Sequence, residues 1–388
     1  MQNTWQLKLT LLLVSSLTIM SVITISPALP HMAVAFGSVE NADFLVKLVL
    51  TIPALFIAIF SPITGGLIDR YGRLRLLWLA LALYAITGSG GYFLNNIYHI
   101  LISRALLGVA VGMSMTIVIT LIADYFEGME RQKFVGLQVA FMSLGGILFI
   151  GLGGILADIS WKAPFLIYLF SLLVLPLSII FLKEPGVAVF TKAASDSAKS
   201  PGIIWLLFFN TMTMWIIFFL IPVQIPFHLK AIGVEKNALI GAAIATSTAF
   251  SAMSSISYAK LKGKLSFLAV FVLGYGLMAI GYLCISISET YGMVILSMMI
   301  SGLGIGMMIP NTNMWVMKIA PPEIRGKEIG KLTTFWFFGQ FISPVIIFPV
   351  LSVLGLSSTF MAAAILMLAI SAAFLIFHFS KAGKAVVQ

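Results

Sequence analysis

The amino-acid sequence predicts an all-α membrane protein with twelve transmembrane helices in two pseudo-symmetric six-helix bundles. Hydrophobic residues make up 60% of the 388 positions and charged residues only 9%, whereas a soluble domain carries roughly 25% charged residues. The apolar residues fall into twelve long runs, and most lysines and arginines collect at alternate ends of these runs. A chain of this composition would expose a large apolar surface in water, so it belongs in a lipid bilayer.

Each apolar run is bounded by charged residues or by Gly and Pro, and a spanning helix needs about 20 apolar residues. The first run is too long, and too weakly basic at its start, for a typical signal peptide, so we interpret it as a retained helix. The predicted spans are 7–30, 44–66, 75–94, 98–123, 134–157, 163–182, 203–228, 238–259, 265–287, 292–317, 331–352 and 357–379.

The distribution of positive charge predicts the orientation. An even number of spans places both termini on one side, and if that side is the cytoplasm, it holds most of the 23 lysines and arginines. The positive-inside rule therefore predicts a multi-pass protein of the bacterial inner membrane with cytoplasmic termini. The exceptions are Lys47, Lys162, Lys230 and Lys236 on the far side, and Arg104 within a helix. The net charge of +10 is thus explained by loops, and no nucleic-acid partner is expected.

The chain divides in the middle. The longest polar stretch, KEPGVAVFTKAASDSAKSPG at 183–202, is rich in Ala and Ser and is typical of a linker. It separates a bundle at 1–182 from a bundle at 203–388. The halves also echo each other, because a shift of 194 residues places Gly108 on Gly302 among similar neighbours. Two six-helix repeats around a central pathway indicate a transporter, with its substrate held near mid-membrane between the halves.

Two short motifs connect the chain to a known family. GGLIDRYGRL at 65–74 contains Asp69, Gly72 and Arg73, and RALLGVAVG at 104–112 opens with an arginine. With these motifs the chain resembles the major facilitator superfamily over nearly its whole length. The second motif resembles the fourth-helix motif of the twelve-helix drug and metabolite exporters, the drug–proton antiporter-like branch. The resemblance implies a small-molecule substrate, alternating access and a proton gradient as the energy source.

The fifth-helix motif of those exporters is only partly present. GGILFIGLGG keeps Gly145, Gly153 and Gly154, but Phe149 and Ile150 replace the expected Gly-Pro. This departure keeps open a second function, an importer or facilitator of a sugar, amino acid or organic acid. Glycines at these spacings let helices approach closely, so we assign a helix-packing role to Gly108, Gly112, Gly145, Gly153 and Gly154.

The resemblance also implies a gate at the cytoplasmic side. In the superfamily the Asp of the first motif caps the beginning of the eleventh helix, and its Arg meets an acid at the end of the fourth. Here this implies that Asp69 lies near residues 326–330 and that Arg73 faces Asp124. Such a latch would hold the inner gate shut and break during inward opening. The predicted gating residues are Asp69, Arg70, Gly72, Arg73 and Asp124.

Two positive side chains lie within predicted spans, where ionisable groups are costly and indicate function. Arg104 lies about 9 Å into the fourth helix, at 1.5 Å per residue, and it cannot lose its proton. It either helps to bind an anionic or carbonyl-rich substrate or braces the helix. Lys47 either contacts substrate or extends its ammonium to the membrane surface. No acid lies at a helix centre, which disfavours a cationic cargo.

Polar and aromatic side chains on the second-half spans complete the candidate site, with packing or lipid contact as the alternative for each. Pro310 interrupts helical hydrogen bonding just before two asparagines, and freed carbonyls are tolerated where they line a cavity. The predicted substrate-binding residues are Arg104, Lys47, Asn210, Trp215, Gln224, Asn311, Asn313, Trp336 and Gln340.

No motif indicates an enzyme. A P-loop, metal-ligand spacing and a nucleophile elbow are all missing from the sequence, so neither ATP nor a metal nor another cofactor is expected. The sequence predicts a secondary active transporter, expected to be monomeric, that exports an amphipathic or anionic small molecule such as a drug or a carboxylate siderophore. Import or facilitated diffusion is the alternative, and a receptor or scaffold without flux is a third.

Overall fold

The computed structural model describes residues 4–185 and 200–380, which contain twelve helices long and apolar enough to cross a membrane and no strand. They are α1 (Trp5–Ala35), α2 (Ala42–Tyr71), α3 (Arg73–Phe93), α4 (Ile97–Tyr125), α5 (Gly128–Ile159), α6 (Ala163–Phe181), α7 (Gly202–Ala231), α8 (Asn237–Lys262), α9 (Phe267–Ser286), α10 (Tyr291–Ile319), α11 (Arg325–Leu354) and α12 (Leu356–Phe379). The predicted fold class is confirmed. Residues 186–199 of the predicted linker, and both chain ends, lie outside the described residues.

Several helices are longer than their predicted spans. The fifth span was predicted at 134–157, yet α5 occupies Gly128–Ile159. Most of the additional residues are polar or charged, and they continue the helix past the apolar run. A hydropathy pattern marks only the part of a helix that is apolar, so it underestimates helices that continue into the polar layer.

Two helices at equivalent positions of the halves are broken. The first helical segment of α1 ends at Ile23, four residues before Pro27. The first segment of α7 ends at Phe218, four residues before Pro222. In each case proline offers no N–H to the carbonyl four residues earlier, so the helix is interrupted there. Such breaks are tolerated at membrane depth where the freed groups are covered by protein or line a cavity.

The internal repeat recurs in the packing. An added Cβ at Gly108 of α4 would lie far inside contact distance of the carbonyl oxygen of Pro53 on α2. Gly302 of α10 stands in the same relation to Ser247 of α8, which is Pro53 shifted by the same 194 residues. The next turn repeats the pairing, with Gly112 against Ile57 and Gly306 against Ser251. At Gly108, Gly302 and Gly306 only glycine permits this approach of the helices, and Gly112 is tightly packed at 3.3 Å. The two halves therefore use one packing scheme.

The halves meet at one end of the molecule. Across the interface α2 packs against α11 and α5 packs against α8. At the end predicted to face outward, the Ser26 hydroxyl donates to the carbonyl of Pro222, which joins the breaks in α1 and α7. Nearby, the rings of Phe44 and Phe348 lie 5.2 Å apart. The outer end is therefore closed.

At the opposite end of the molecule, the two halves are separated. An added Cβ would meet no atom within 4 Å at the inner end of α2 or in the first turns of α11, as tested at Gly65, Gly66, Gly326 and Gly330. At these positions α2 and α11 therefore do not touch. The structure shows a conformation closed outside and open at the predicted cytoplasmic end.

Candidate functional site

Arg104 is fully buried within the first half, at 0% exposure. Its Nε donates to the carbonyl of Val49 at 3.1 Å, and its Nη2 donates to the carbonyl of Ser21 at 2.5 Å. Val49 precedes Pro53 by four residues, so its carbonyl has no N–H partner within α2. Ser21 lies in the last turn before the break in α1, where carbonyls also lack helical partners. Arg104 therefore satisfies two carbonyls freed by two helix irregularities.

The surroundings of Arg104 are aromatic. The ring of Tyr168 lies 4.9 Å from the guanidinium, and the Tyr168 hydroxyl also donates to the Ser21 carbonyl. The remaining nitrogen, Nη1, has no hydrogen-bond partner among the described residues. Of the two sequence-based interpretations, this structure shows the bracing contacts. A direct role of Arg104 in substrate binding stays a prediction.

Lys47 lies at the outer end, buried between the halves at 4% exposure. Its ammonium stands over the rings of Phe227 on α7 and Phe348 on α11, at 5.1 and 5.3 Å from their centroids. Gln224, 1% exposed, lies beside it with its Oε1 unpaired among the described residues. Lys47, Gln224 and Phe227 line a cavity of about 230 Å³ with Asp43, Leu351 and Leu356. Lys47 thus contacts aromatic rings across the interface, and its direct contact with substrate stays a prediction.

Two tryptophans form a stacked pair in the second half. The rings of Trp215 on α7 and Trp336 on α11 lie 4.4 Å apart and 17° from parallel. Neither indole N–H has a hydrogen-bond partner among the described residues, although both are buried. We name Trp215 and Trp336 the tryptophan platform. The narrow cleft beside it has a volume of about 10 Å³ and is lined by Thr211, Met214, Ile309, Thr312, Asn313 and Leu332.

The remaining predicted polar residues do not join the platform. The Tyr275 hydroxyl donates to Asn210 Oδ1 at 2.8 Å, which ties α7 to α9. Asn311, fully buried, accepts from the Tyr258 hydroxyl at 3.1 Å and donates to the carbonyl of Phe267. Gln340 is 5% exposed, and its Oε1 is unpaired in the described part of the chain. Among the second-half candidates the structure brings together Trp215, Trp336 and Asn313.

Part of the predicted gate is assembled. The Nε of Arg73 lies 3.2 Å from Oδ2 of Asp124, and both side chains are 9% exposed. Gly72 precedes this pair with φ of +83°, in the left-handed region that favours glycine. Arg70 stacks on the neighbouring ring of Tyr71 at 5.3 Å. The Arg73–Asp124 contact is present as the resemblance implied, and its role in gating stays a prediction.

The second contact predicted for the latch, that of Asp69, is not formed in this conformation. Asp69 is exposed and makes no hydrogen bond or ion pair with the rest of the described chain. The beginning of α11, where its partner N–H groups lie, is separated from α2 at this end. Since the inner end is open in this conformation, Asp69 forms no hydrogen bond with residues 326–330 in the described chain.

Sequence reasoning missed a carboxylate in this cluster. Glu184, just after α6, accepts hydrogen bonds from the backbone N–H groups of Arg73 at 2.7 Å and Leu74 at 2.8 Å. An acid is stabilising at a helix N-terminus, where N–H groups lack helical partners. A signal was present, because α3 begins at Arg73 after a glycine and has no Ser, Thr, Asp or Asn to cap it. The cap therefore had to come from elsewhere in the chain.

The sequence matches the model of a family described as Major Facilitator Superfamily over residues 11–344. The chain belongs to the major facilitator superfamily. It is 26% identical over 316 residues to the multi-drug resistance efflux pump PmrA of Streptococcus pneumoniae, covering 79% of each chain. It is 24% identical over 352 residues to the bacillibactin exporter of Bacillus subtilis, covering 84% of each.

Solved structures share this superfamily fold. A D-xylose–proton symporter gives a TM-score of 0.75 at 19% identity, covering 94% of this chain and 97% of the other. A bacterial homologue of the human lysosomal transporter Spinster, in an inward-facing and occupied conformation, gives 0.77 at 17% identity, covering 95% of each. Membership makes this multi-pass inner-membrane protein a transporter of small molecules and not an enzyme.

The glycines of the partial fifth-helix motif contact α1 in their own half and α8 in the other half. Gly153 of α5 faces the carbonyl of Thr24 at the break in α1, and the distance is too short for any side chain at position 153. An added Cβ at Gly154 would lie 2.6 Å from the carbonyl oxygen of Asn237 on α8, across the interface. Gly145 faces Ser16 of α1, 3.1 Å from an added Cβ. These glycines occupy packing positions although the motif's Gly-Pro is replaced.

Proposed function

We propose that this protein exports an amphipathic or anionic small organic molecule from the cytoplasm by alternating access, driven by the proton gradient. The observation that carries the proposal is the tryptophan platform, whose two buried indole N–H groups have no acceptor in the described chain. Buried donors normally find a partner. A planar aromatic molecule bearing a carboxylate, phenolate or carbonyl oxygen would supply both a stacking face and the missing acceptor.

The charges of the membrane interior support the same class of cargo. Arg104 and Lys47 are buried cations, and neither forms an ion pair with an acid in the described chain. Among acids whose side chains are described, the one that is fully buried is Glu328, in the first turn of α11. Its Oε1 forms an ion pair with Lys331 Nζ at 2.8 Å, and its Oε2 has no hydrogen-bond partner in the described chain. It lies at the inner end of α11 and not at the centre. A cationic cargo would find no free counter-charge in the centre, whereas an anionic one is favoured.

Export is supported by the sequence relatives. PmrA is an efflux pump and the bacillibactin protein is an exporter, and each aligns with about four fifths of this chain, at 79% and 84% coverage. The xylose symporter shares the fold at 19% identity, which bears on architecture alone. Import is the alternative, and the direction of accumulation in oriented membrane vesicles separates the two.

Removing one platform ring is expected to weaken cargo binding. In cells lacking other efflux pumps, Trp336→Ala should raise the half-saturating concentration for export of a fluorescent planar aromatic carboxylate about fivefold, since an aromatic pair contributes ~1 kcal/mol. Trp336→Phe should lose less, because a ring remains. The control is Trp205→Ala, which removes a tryptophan that is 46% exposed and lies outside the cleft.

The same assay tests the charge preference. Wild-type protein should export the carboxylate faster than a planar aromatic cation of equal size. Faster export of the cation would contradict the proposed cargo class. An unchanged half-saturating concentration in Trp336→Ala would contradict the platform as its site.

A further inference from the structure

A carboxylate of one half caps a helix of the other at the outer end. Asp158, near the end of α5, accepts hydrogen bonds from the first two backbone N–H groups of α8. The N–H of Asn237 lies 2.6 Å from Oδ1, and the N–H of Ala238 lies 3.1 Å from Oδ2. Because α5 belongs to the first bundle and α8 to the second, these two bonds cross the interface between the halves.

The first turn of α8 depends on this carboxylate. The residue at its N-cap position is Lys236, which makes no capping hydrogen bond with its side chain. The first N–H groups of a helix have no helical acceptor and must be satisfied from outside. A carboxylate is the favoured partner there, because its charge complements the helix dipole and its bonds are charge-assisted. Asp158 supplies both acceptors.

The contacts around Asp158 are so short that they can form only when the outer end is closed. Asn237 is fully buried, and its Nδ2 donates to the carbonyl of Ala157 at 3.1 Å and lies 3.3 Å from His31 Nδ1 on α1. One turn further along, an added Cβ at Gly241 would lie 2.8 Å from the carbonyl oxygen of Ile150. Backbones this close must separate when the outer ends of α5 and α8 move apart, and the bonds to Asp158 must then break.

We propose that Asp158 and the first turn of α8, at Asn237 and Ala238, form an outer latch that holds the outer gate closed. The outer latch has the same construction as the inner latch that the resemblance implies for Asp69 and α11. In both, an acid of the first half caps a helix of the second half, and the helices involved, α2 with α11 and α5 with α8, pack against each other across the interface. The inference rests on transport by alternating access, and not on the cargo or its direction.

Spin-label distances test the outer latch without any cargo. Labels at Tyr98→Cys and Met293→Cys, exposed residues in the first turns of α4 and α10, report the outer separation. Labels at Met129→Cys and Ile256→Cys, exposed towards the inner ends of α5 and α8, report the inner separation. The native Cys284 is replaced by serine in all proteins.

Asp158→Asn keeps the shape of the side chain but removes the charge and one acceptor. The ratio of outside-closed to outside-open molecules should fall about fivefold, the change that ~1 kcal/mol at a helix N-terminus produces. The outer pair should move to longer distances and the inner pair to shorter ones. Glu289→Gln neutralises an exposed acid just before α10 and should give wild-type distances.

A second variant changes the α8 side of the outer latch. Asn237→Pro leaves Asp158 intact but removes the N–H nearest to it, together with the side-chain hydrogen bond to the carbonyl of Ala157. Proline is favoured at the first position of a helix, and Lys236 has the extended conformation, with ψ of 120°, that proline requires before it. Asn237→Pro should shift both spin-label pairs in the same direction as Asp158→Asn. Wild-type distance distributions in both variants, each eluting as folded protein, would overturn the outer latch.

Discussion

Arg104→Ala should abolish transport and lower the melting temperature while the protein is still expressed. Arg104 donates to two carbonyls, of Val49 and Ser21, that Pro53 and the break in α1 leave without helical partners. A hydrogen bond from a charged donor contributes roughly 1.5–3 kcal/mol, so losing both removes roughly 3–6 kcal/mol from the first bundle. The loss falls on α1, α2 and α4, where α1 carries the break that contacts the second half.

Two substitutions separate bracing from cargo binding at this position. Arg104→Lys keeps the charge but lacks the fork of donors that reaches two carbonyls. If Arg104 braces the helices, Arg104→Lys also loses stability and transports cargo of either charge poorly. If it binds cargo, Arg104→Lys keeps its melting temperature and export of anions. Arg75→Ala removes an exposed arginine and should resemble wild type. Normal flux in Arg104→Ala would contradict both roles.

Asp69→Asn should slow turnover about tenfold by weakening the closed inner gate. In the present conformation Asp69 is exposed and α2 is separated from the beginning of α11. When the inner end closes, the carboxylate is expected to cap residues 326–330, as the superfamily resemblance implies. An acid at a helix N-terminus contributes up to ~2 kcal/mol when partly buried. Neutralising it should therefore leave the open inner end favoured.

The inner label pair shows this effect directly. With saturating cargo, the pair at positions 129 and 256 should shorten in wild type and stay long in Asp69→Asn. Glu127→Gln, which neutralises an exposed acid on the same side, is the matched control. Unchanged flux together with a wild-type inner distance in Asp69→Asn would refute the inner latch. The Asp69 and Asp158 variants should shift the two label pairs in opposite directions.

Much of the fold could be predicted because lipid imposes strong rules on sequence. The number of helices follows from apolar run length, and the repeat follows from glycines that recur at one offset, such as Gly108 and Gly302. The partners of Arg104 could not be predicted. Pro53 identifies Val49 as a carbonyl without a helical partner, but no pattern within a helix states which neighbouring helix provides the donor.

The candidate site was harder to predict, because residue type does not determine direction. Asn311 and Asn313 stand two residues apart, about 200° around a helix, so both could not face one cleft. Asn313 lines the cleft, and Asn311 bonds to Tyr258 and Phe267. Caps supplied from distant parts of the chain, by Glu184 and Asp158, were missed for a related reason. Each acid lies far in sequence from the helix that it stabilises.

Uptake by inside-out membrane vesicles tests the central claim of proton-driven export most directly. In such vesicles export appears as accumulation in the lumen. When the lumen is acidic, the wild-type protein should accumulate a planar aromatic carboxylate above its external concentration, and a protonophore should abolish that accumulation. Trp336→Ala should accumulate less at subsaturating cargo. Accumulation only in right-side-out vesicles, or equilibration that ignores the pH gradient, would contradict proton-driven export.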